Sequence, residues 1–122
     1  METNKALCRE LEEAIRRSNT VIFRRSQALL AEMGLSNPQF NTLLALYEMG
    51  PLTMGELGKH LFAACSTATD LADRLEGEGM VERIRDSRDR RIVRMHLLPR
   101  GRKVVELVIN DRYSFLEEVL KE

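Results

Sequence analysis

Residues 65–98, CSTATDLADRLEGEGMVERIRDSRDRRIVRMHLL, decide the fold. The first part has the three- and four-residue spacing of an amphipathic helix over about 65–78, ended by Gly79. The inward stripe of this helix consists of Ala68, Leu71, Ala72 and Leu75. The second part changes to strand character at about Met80–Asp86 and Arg91–Leu98, with a polar turn between. The stretch therefore predicts a helix followed by a β-hairpin with a charged tip.

Two shorter helices are predicted before this stretch. Ser36-Asn37-Pro38 begins the first of them, which ends at Gly50-Pro51. Thr53, followed three residues later by Glu56, forms a capping box for the second. The apolar positions of this short helix are Leu57, Leu61 and Phe62. Helix, short helix, helix and charged hairpin together predict a mainly α fold with a small β-hairpin wing, the winged helix-turn-helix.

Long helices are predicted at both ends of the chain. The first covers about Thr3–Met33 and stops at Gly34, and the last covers about Gly101–Lys121. Apolar residues of the first recur at steps of four and seven: Leu7, Leu11, Ile15, Ile22, Leu29 and Met33. Both helices carry more apolar surface than one small core covers, so we expect them to take part in association with a second copy.

The charge is balanced overall but unevenly distributed. The 122 residues include 19 Lys+Arg and 19 Asp+Glu, whereas residues 82–103 hold nine basic and three acidic side chains. Those basic residues are Arg83, Arg85, Arg88, Arg90, Arg91, Arg94, Arg100, Arg102 and Lys103. Such a layout presents one basic surface to a polyanion while the whole chain stays neutral.

Several classes of function have no residues to support them. No nucleophile elbow, Walker A motif or dinucleotide fingerprint occurs, so no enzyme activity and no cofactor are expected. His60 and His96 have no second ligand at metal-binding spacing, so no metal site is expected. No apolar run spans a membrane, no export signal is visible, and Cys8 and Cys65 form no disulfide framework. We therefore expect a cytoplasmic protein.

The predicted helix and hairpin suit DNA recognition. Ser66, Thr67 and Thr69 are short side chains that can hydrogen-bond base edges in the major groove, about 12 Å wide. Arg88, Arg90 and Arg91 can reach phosphates or the adjacent minor groove, and Asp89 can direct one of them. The candidate DNA-binding residues are Cys65, Ser66, Thr67, Thr69, Asp70, Arg74, Arg88, Asp89, Arg90 and Arg91.

The sequence resembles the multiple-antibiotic-resistance regulator (MarR) family of transcription factors. The resemblance rests on Ser66-Thr67-Ala68-Thr69, on Asp73-Arg74-Leu75-Glu76 and on Gly79-Met80-Val81-Glu82-Arg83. It continues through the wing, Asp86-Ser87-Arg88-Asp89-Arg90-Arg91, and the junction Leu97-Leu98-Pro99-Arg100-Gly101. The resemblance implies a homodimeric repressor on a pseudopalindromic operator, with a small-molecule effector of unknown identity. It also implies the organisation of the chain, which is a single domain overall. A dimerisation helix is expected at 1–34, a winged helix-turn-helix DNA-binding domain at 35–100 and a second dimerisation helix at 101–122.

The sequence departs from the family pattern at three places. Ala64 stands where a capping serine is frequent, and Asp70 stands where a basic residue is common. An acid facing DNA repels phosphate, although it can accept from N4 of cytosine. The family usually has one more helix after the one that begins near Gly101, so we expect a smaller or differently closed dimer interface.

Three alternative interpretations stay open. The chain can be a winged-helix protein-interaction module that has lost DNA binding. The arginines of the hairpin can form a solvated edge that protects the sheet from aggregation. Cys8 can be an inert helix cysteine or, as the family resemblance implies for some members, an oxidant-sensing thiol, for which Arg9 is the only adjacent cation.

Overall fold

The computed structural model describes residues 2–121, which form five α-helices and three β-strands. In chain order these are α1 (Glu2–Glu32), α2 (Asn37–Met49), β1 (Leu52–Thr53), α3 (Met54–Leu61), α4 (Cys65–Gly77), β2 (Val81–Arg85), β3 (Val93–Leu97) and α5 (Pro99–Leu120). All the predicted helices and both predicted strands are present, with ends that differ by one or two residues. The winged helix-turn-helix prediction is confirmed.

The sheet holds one strand that the sequence pattern does not predict. β1 pairs with β3 in antiparallel register, with Leu52 opposite Met95, and β3 pairs with β2 on its other edge. A two-residue strand has no alternation to detect, and only its pairing with β3 defines it. The wing, β2 and β3 with the turn at residues 86–92, is therefore anchored to the segment between α2 and α3.

Capping boxes begin both α2 and α3. At the predicted box, the Glu56 backbone N–H donates to Oγ1 of Thr53 over 3.1 Å and the Thr53 N–H donates to Glu56 over 2.9 Å. The Thr53 N–H is the main reason that the pKa of Glu56 lies below its ordinary value. The same arrangement joins Ser36 and Gln39 at the start of α2. These boxes fix the entry of both helices into the core.

The core lies between α2, α3, α4, the sheet and the first half of α5. Its fully buried side chains include Phe40, Leu43, Leu57, Leu75, Met95, Val105 and Val108. Leu30, near the end of α1, also belongs to it. We call the part built from α2, α3, α4 and the sheet the winged lobe, because only the last turns of α1 reach it.

Phe62, one of the three apolar positions predicted for α3, does not pack into the core. Phe62 follows the last residue of α3 and adopts a left-handed conformation, with φ of 53°. A residue that leaves the helix in this conformation turns its side chain off the helix face, and Phe62 is 98% exposed. Leu57 is fully buried and Leu61 packs against the edge of the core, as expected.

Apolar side chains of α1 and α5 stay exposed in the single chain, as the excess apolar surface predicts. On α1 they include Leu7, Leu11, Ile15 and Phe23, each more than half exposed. On α5 they include Leu107, Tyr113, Leu116, Val119 and Leu120. No helix in the described part of the chain is long and apolar enough to cross a bilayer.

Candidate nucleic-acid interface

One face of α4 is buried and the opposite face is open to solvent. Ala68, Ala72 and Leu75 are fully buried against the lobe. The exposed strip consists of Ser66, Thr67, Asp70 and Arg74. Ser66, Asp70 and Arg74 follow one another at steps of four and so lie on one face of the helix. Thr69 lies half-buried beside this strip. The backbone of Cys65 begins α4, while its side chain lies outside the part that the structure describes. Apart from Cys65, the structure thus presents the predicted helix residues as one polar surface.

The first turn of α4 has no side-chain cap. Ala64 occupies the N-cap position with extended backbone and supplies no side-chain oxygen. The N–H groups of that turn carry the positive end of the helix dipole and can donate to an anion or to water. The end of α4 that begins the polar strip is therefore suited to a phosphate group.

Asp70 and Arg74 form an ion pair on the exposed strip. Their nearest oxygen and nitrogen are 3.6 Å apart, and the two side chains are 67% and 69% exposed. A surface pair of this kind contributes about 0.5 kcal/mol or less, so both groups can exchange it for a contact with DNA. The negative charge of Asp70 is therefore partly neutralised by Arg74 on the same helix.

Asp86 organises the turn of the wing. Its carboxylate accepts the backbone N–H groups of Arg88 and Asp89 over 3.0 and 2.7 Å, and Nη1 of Arg94 over 3.2 Å. The Asp89 N–H is the largest cause of a pKa of Asp86 below the ordinary value, and the Arg94 charge adds to it. One carboxylate thus holds both the turn and β3.

Asp89 directs an arginine, as predicted. The backbone N–H and the Nε of Arg91 each donate to Asp89 over 3.1 Å. These bonds, the side-chain one first, lower the pKa of Asp89. Arg91 is therefore held beside the turn by a neighbour two residues away.

Arg88 and Arg90 extend from the wing tip without such a partner. Both side chains are exposed, and no carboxylate in residues 4–121 forms an ion pair with either guanidinium. The carbonyl of Arg90 accepts from Nη1 of Arg85. This bond holds the backbone while leaving the Arg90 charge free, so the wing tip offers two unpaired cations.

Arg83, for which the sequence pattern predicts no role, connects the wing to α4. Its Nη1 donates to Oε1 of Glu76 over 3.1 Å, and its Nη2 pairs with Asp73. All three residues lie within the quoted motifs. The contacts span seven and ten positions in the chain and depend on how β2 packs against α4, so no local pattern reveals them.

A helix-turn-helix whose second helix presents a polar strip, followed by an arginine-tipped hairpin, defines a winged DNA-binding protein. The MarR family model matches residues 35–93. The regulator YsmB of Bacillus subtilis, named as an uncharacterized HTH-type transcriptional regulator, is 38% identical over 112 residues, covering 92% of this chain and 77% of YsmB. The chain belongs to the MarR family, which confirms the resemblance seen in the sequence.

Solved structures agree with this assignment. A MarR family protein from Bacillus stearothermophilus superposes with a TM-score of 0.81 at 38% identity, covering 97% of this chain and 82% of that one. A MepR mutant of S. aureus, solved bound to an oligodeoxyribonucleotide, has a TM-score of 0.76 at 24% identity, covering 90% of this chain and 80% of its own. At that identity the likeness concerns the fold alone. The chain is a DNA-binding transcriptional regulator, and its family consists of regulators rather than enzymes.

Proposed function

We propose that this regulator is a repressor that binds a pseudopalindromic operator as a homodimer. The observation that carries the proposal is the pairing, within one lobe, of the exposed polar strip on α4 with the two unpaired cations at the wing tip. A strip of short polar groups fits base edges in the major groove. Free guanidinium groups fit phosphates or a narrow minor groove.

Each element has its own part in recognition. Ser66, Thr67 and Thr69 contact base edges, with Cys65 a small contact at the start of the helix. Asp70 accepts from a cytosine N4 and Arg74 donates to a base or phosphate. On the wing, Arg88 and Arg90 provide affinity, while Asp89 aims Arg91. The helix therefore supplies sequence specificity, and the wing supplies binding that depends on salt.

The exposed apolar residues of α1 and α5 form the dimer interface. A single lobe contacts about half the surface that a specific protein–DNA complex buries, so two lobes are needed for operator affinity. The apolar stripe at Leu7, Leu11 and Ile15 is the kind of surface that a second copy covers. Sedimentation at micromolar concentration should give about 28 kDa, twice the 14.0 kDa of one chain.

Fluorescence anisotropy with duplexes tiled across the DNA upstream of its own gene tests the operator proposal. One duplex should bind far more tightly than scrambled DNA at the same salt concentration, with two chains per duplex. Thr67→Ala should reduce the preference for that duplex. Arg90→Ala should weaken binding to every duplex and flatten the salt dependence by about one unit of slope if a phosphate contact is lost. Equal binding of wild type to all duplexes contradicts an operator-specific regulator.

In vitro transcription from a template that contains the bound duplex tests the repressor part. Added protein should lower the amount of transcript, and a template with a scrambled site is the control. A rise in transcript would make the protein an activator that uses the same interface.

A small, largely apolar effector in a cleft between the dimerisation helices and the winged lobe completes the proposal. Such a ligand favours a lobe spacing that does not match successive grooves. A 100-fold loss of operator affinity needs about 2.7 kcal/mol of coupling, and the ligand must then bind the free dimer 100-fold more tightly than the DNA-bound dimer. Calorimetric titration of a panel of phenolic compounds into both forms measures this ratio. A ligand with equal affinity for both forms is not the effector.

A further inference from the structure

Arg83 forms a three-bond connection between the wing and α4. Its Nη1 donates to Oε1 of Glu76 over 3.1 Å, and its own backbone N–H donates to Oε2 of the same carboxylate over 3.2 Å. Its Nη2 reaches Asp73, one turn earlier on α4. Because residues three apart lie on the same face of a helix, one strand residue holds two successive turns of α4.

The connection reaches a rigid part of the wing. Arg83 lies in the middle of β2, opposite Met95 of β3, which is fully buried. The bond from the Arg83 backbone to Glu76 fixes the strand itself, whereas a flexible side chain alone would leave the strand free to move. The side chains of Arg83, Glu76 and Asp73 are 31%, 38% and 54% exposed, against 67% and 69% for the Asp70–Arg74 pair. Partial burial with charge-assisted bonds makes this connection stronger than a surface pair.

The acids of this connection are unfavourable for DNA binding by charge alone. The α4 segment carries Asp70, Asp73 and Glu76 against a single Arg74. A carboxylate near the phosphate backbone repels it, so Glu76 gains nothing from proximity to DNA. Any favourable effect of Glu76 on DNA binding therefore comes from its bonds to Arg83.

We propose that Arg83 is a positioning residue for operator recognition, which fixes the angle between α4 and the wing so that both contact the same operator together. This inference rests on the proposed function of those two elements. With the connection intact, docking of α4 brings the wing to its own contact without a further ordering cost. With it broken, α4 and the wing contact DNA independently, and part of the affinity is lost.

Glu76→Gln separates positioning from charge. Electrostatics alone predicts tighter DNA binding, since an acid is removed from the interface. The positioning role predicts weaker operator binding, by about tenfold, because the amide holds Arg83 less firmly. Glu78→Gln is the matched control, because it removes an exposed acid two residues away that forms no ion pair in the described residues. Operator affinity of the control should match wild type or rise slightly.

A mutant cycle between the two DNA-contacting elements gives the second readout. In wild type, Thr67→Ala and Arg90→Ala should be coupled, so that their combined effect on operator affinity differs from the product of the single effects. In an Arg83→Gln background the coupling should disappear, and Arg83→Lys should retain part of it. A global loss of stability does not remove coupling between two contacts, so a merely structural role leaves this readout unchanged.

Hydrogen exchange of the full chain without DNA tests the connection independently of any operator. Glu76→Gln should speed exchange of the Arg83 amide, while amides of Val105 and Val108 in the core keep their protection. Unchanged exchange at Arg83 overturns the proposal. The proposal is also overturned if Glu76→Gln binds the operator as tightly as wild type and the coupling between Thr67→Ala and Arg90→Ala is retained in the Arg83→Gln background. If wild type binds no duplex specifically, the proposed function fails, and the exchange experiment still reports whether the connection holds the strand.

Discussion

Ser26 of α1 and Arg112 of α5 are joined by a hydrogen bond in which Nε of Arg112 donates to Oγ of Ser26 over 3.1 Å. Ser26 is 2% exposed, and the guanidinium carbon lies 5.3 Å from the ring centre of Phe40 on α2. A cation over an aromatic face adds attraction at that distance. The Arg112 side chain therefore connects both terminal helices to the winged lobe.

Ser26→Ala should destabilise the fold by about 1 kcal/mol, because it leaves Nε of a half-buried Arg112 without its acceptor. Urea denaturation followed by circular dichroism measures the change in free energy of unfolding. Ser114→Ala on the exposed face of α5 is the control and should change stability by less than about 0.5 kcal/mol. If the two variants unfold alike, the bond contributes nothing to the junction.

Asp86→Ala should loosen the wing tip without unfolding the chain. The substitution removes the acceptor for the N–H groups of Arg88 and Asp89 and for the Arg94 side chain. Exchange of the Arg88 and Asp89 amides should speed up, and operator affinity should fall by about tenfold because the wing arginines are less ordered. Ser87→Ala, in the same turn, should leave both measurements near wild type. Equal effects of the two substitutions would show that Asp86 has no special role.

Acid should disorder the same turn. The pKa values of Asp86 and Asp89 in the folded protein lie below the ordinary value, about 3.9 for aspartate, because N–H groups and arginines hold the ionised forms. The contribution of both groups is therefore complete above about pH 4 and is lost as pH falls through the lowered folded values. Amide chemical shifts of Arg88 and Asp89 should stay constant from about pH 5 to 8 and move only in stronger acid. Movement near neutral pH would contradict this assignment.

The sequence predicts those elements whose residues repeat with a clear period. The stripe of Ala68, Leu71, Ala72 and Leu75 gives α4, and Thr53 with Glu56 gives the start of α3, because both signals are local. The sequence does not predict β1, because this strand is defined only by its pairing with β3. The exposure of Phe62 is not predictable in this way, because periodicity carries no information on the left-handed turn that ends α3.

The contacts in the candidate site also fall into local ones, which the sequence can predict, and longer-range ones, which it cannot. The bond between Asp89 and Arg91 spans two residues, so their adjacency in the sequence is sufficient to predict it. The bonds that the Arg88 and Asp89 N–H groups donate to Asp86 are equally local. The contact of Asp86 with Arg94, and those of Arg83 with α4, depend instead on the hairpin and on the packing of β2 on α4. Distances along the chain of seven to ten residues, across two different elements, have no characteristic spacing from which to infer a contact.

Phe62→Gly should stabilise the protein by about 1 kcal/mol. Phe62 holds a φ of 53°, which costs a bulky side chain energy that glycine avoids, and its exposed ring gives little packing in return. Phe62→Ala is the matched control, because alanine keeps the Cβ atom and with it most of the strain. Thermal unfolding should therefore show a higher midpoint for the glycine variant than for the alanine variant. The reverse order would mean that the ring itself stabilises the turn.

Gly101→Ala should destabilise the fold by about 1–3 kcal/mol, because it forces α5 away from the wing. A Cβ atom at position 101 would lie 2.4 Å from the carbonyl oxygen of Met80 and 2.8 Å from Cδ1 of Leu97. The carbonyl cannot turn aside without cost, since it accepts the N–H of Leu98 over 2.9 Å. The same Cβ would also lie 3.2 Å from Cδ2 of Leu43, which is fully buried, so a core side chain must shift as well.

Gly77→Ala is the control for that substitution. It lies in the last turn of α4, nothing lies within 4 Å of its added Cβ, and alanine is the better helix former, so this variant should be up to about 1 kcal/mol more stable than wild type. Urea denaturation of the two variants should therefore give changes of opposite sign. If Gly101→Ala is as stable as wild type, α5 can shift relative to β2 at no cost, and the close approach at Gly101 does not determine how the last helix is placed on the winged lobe.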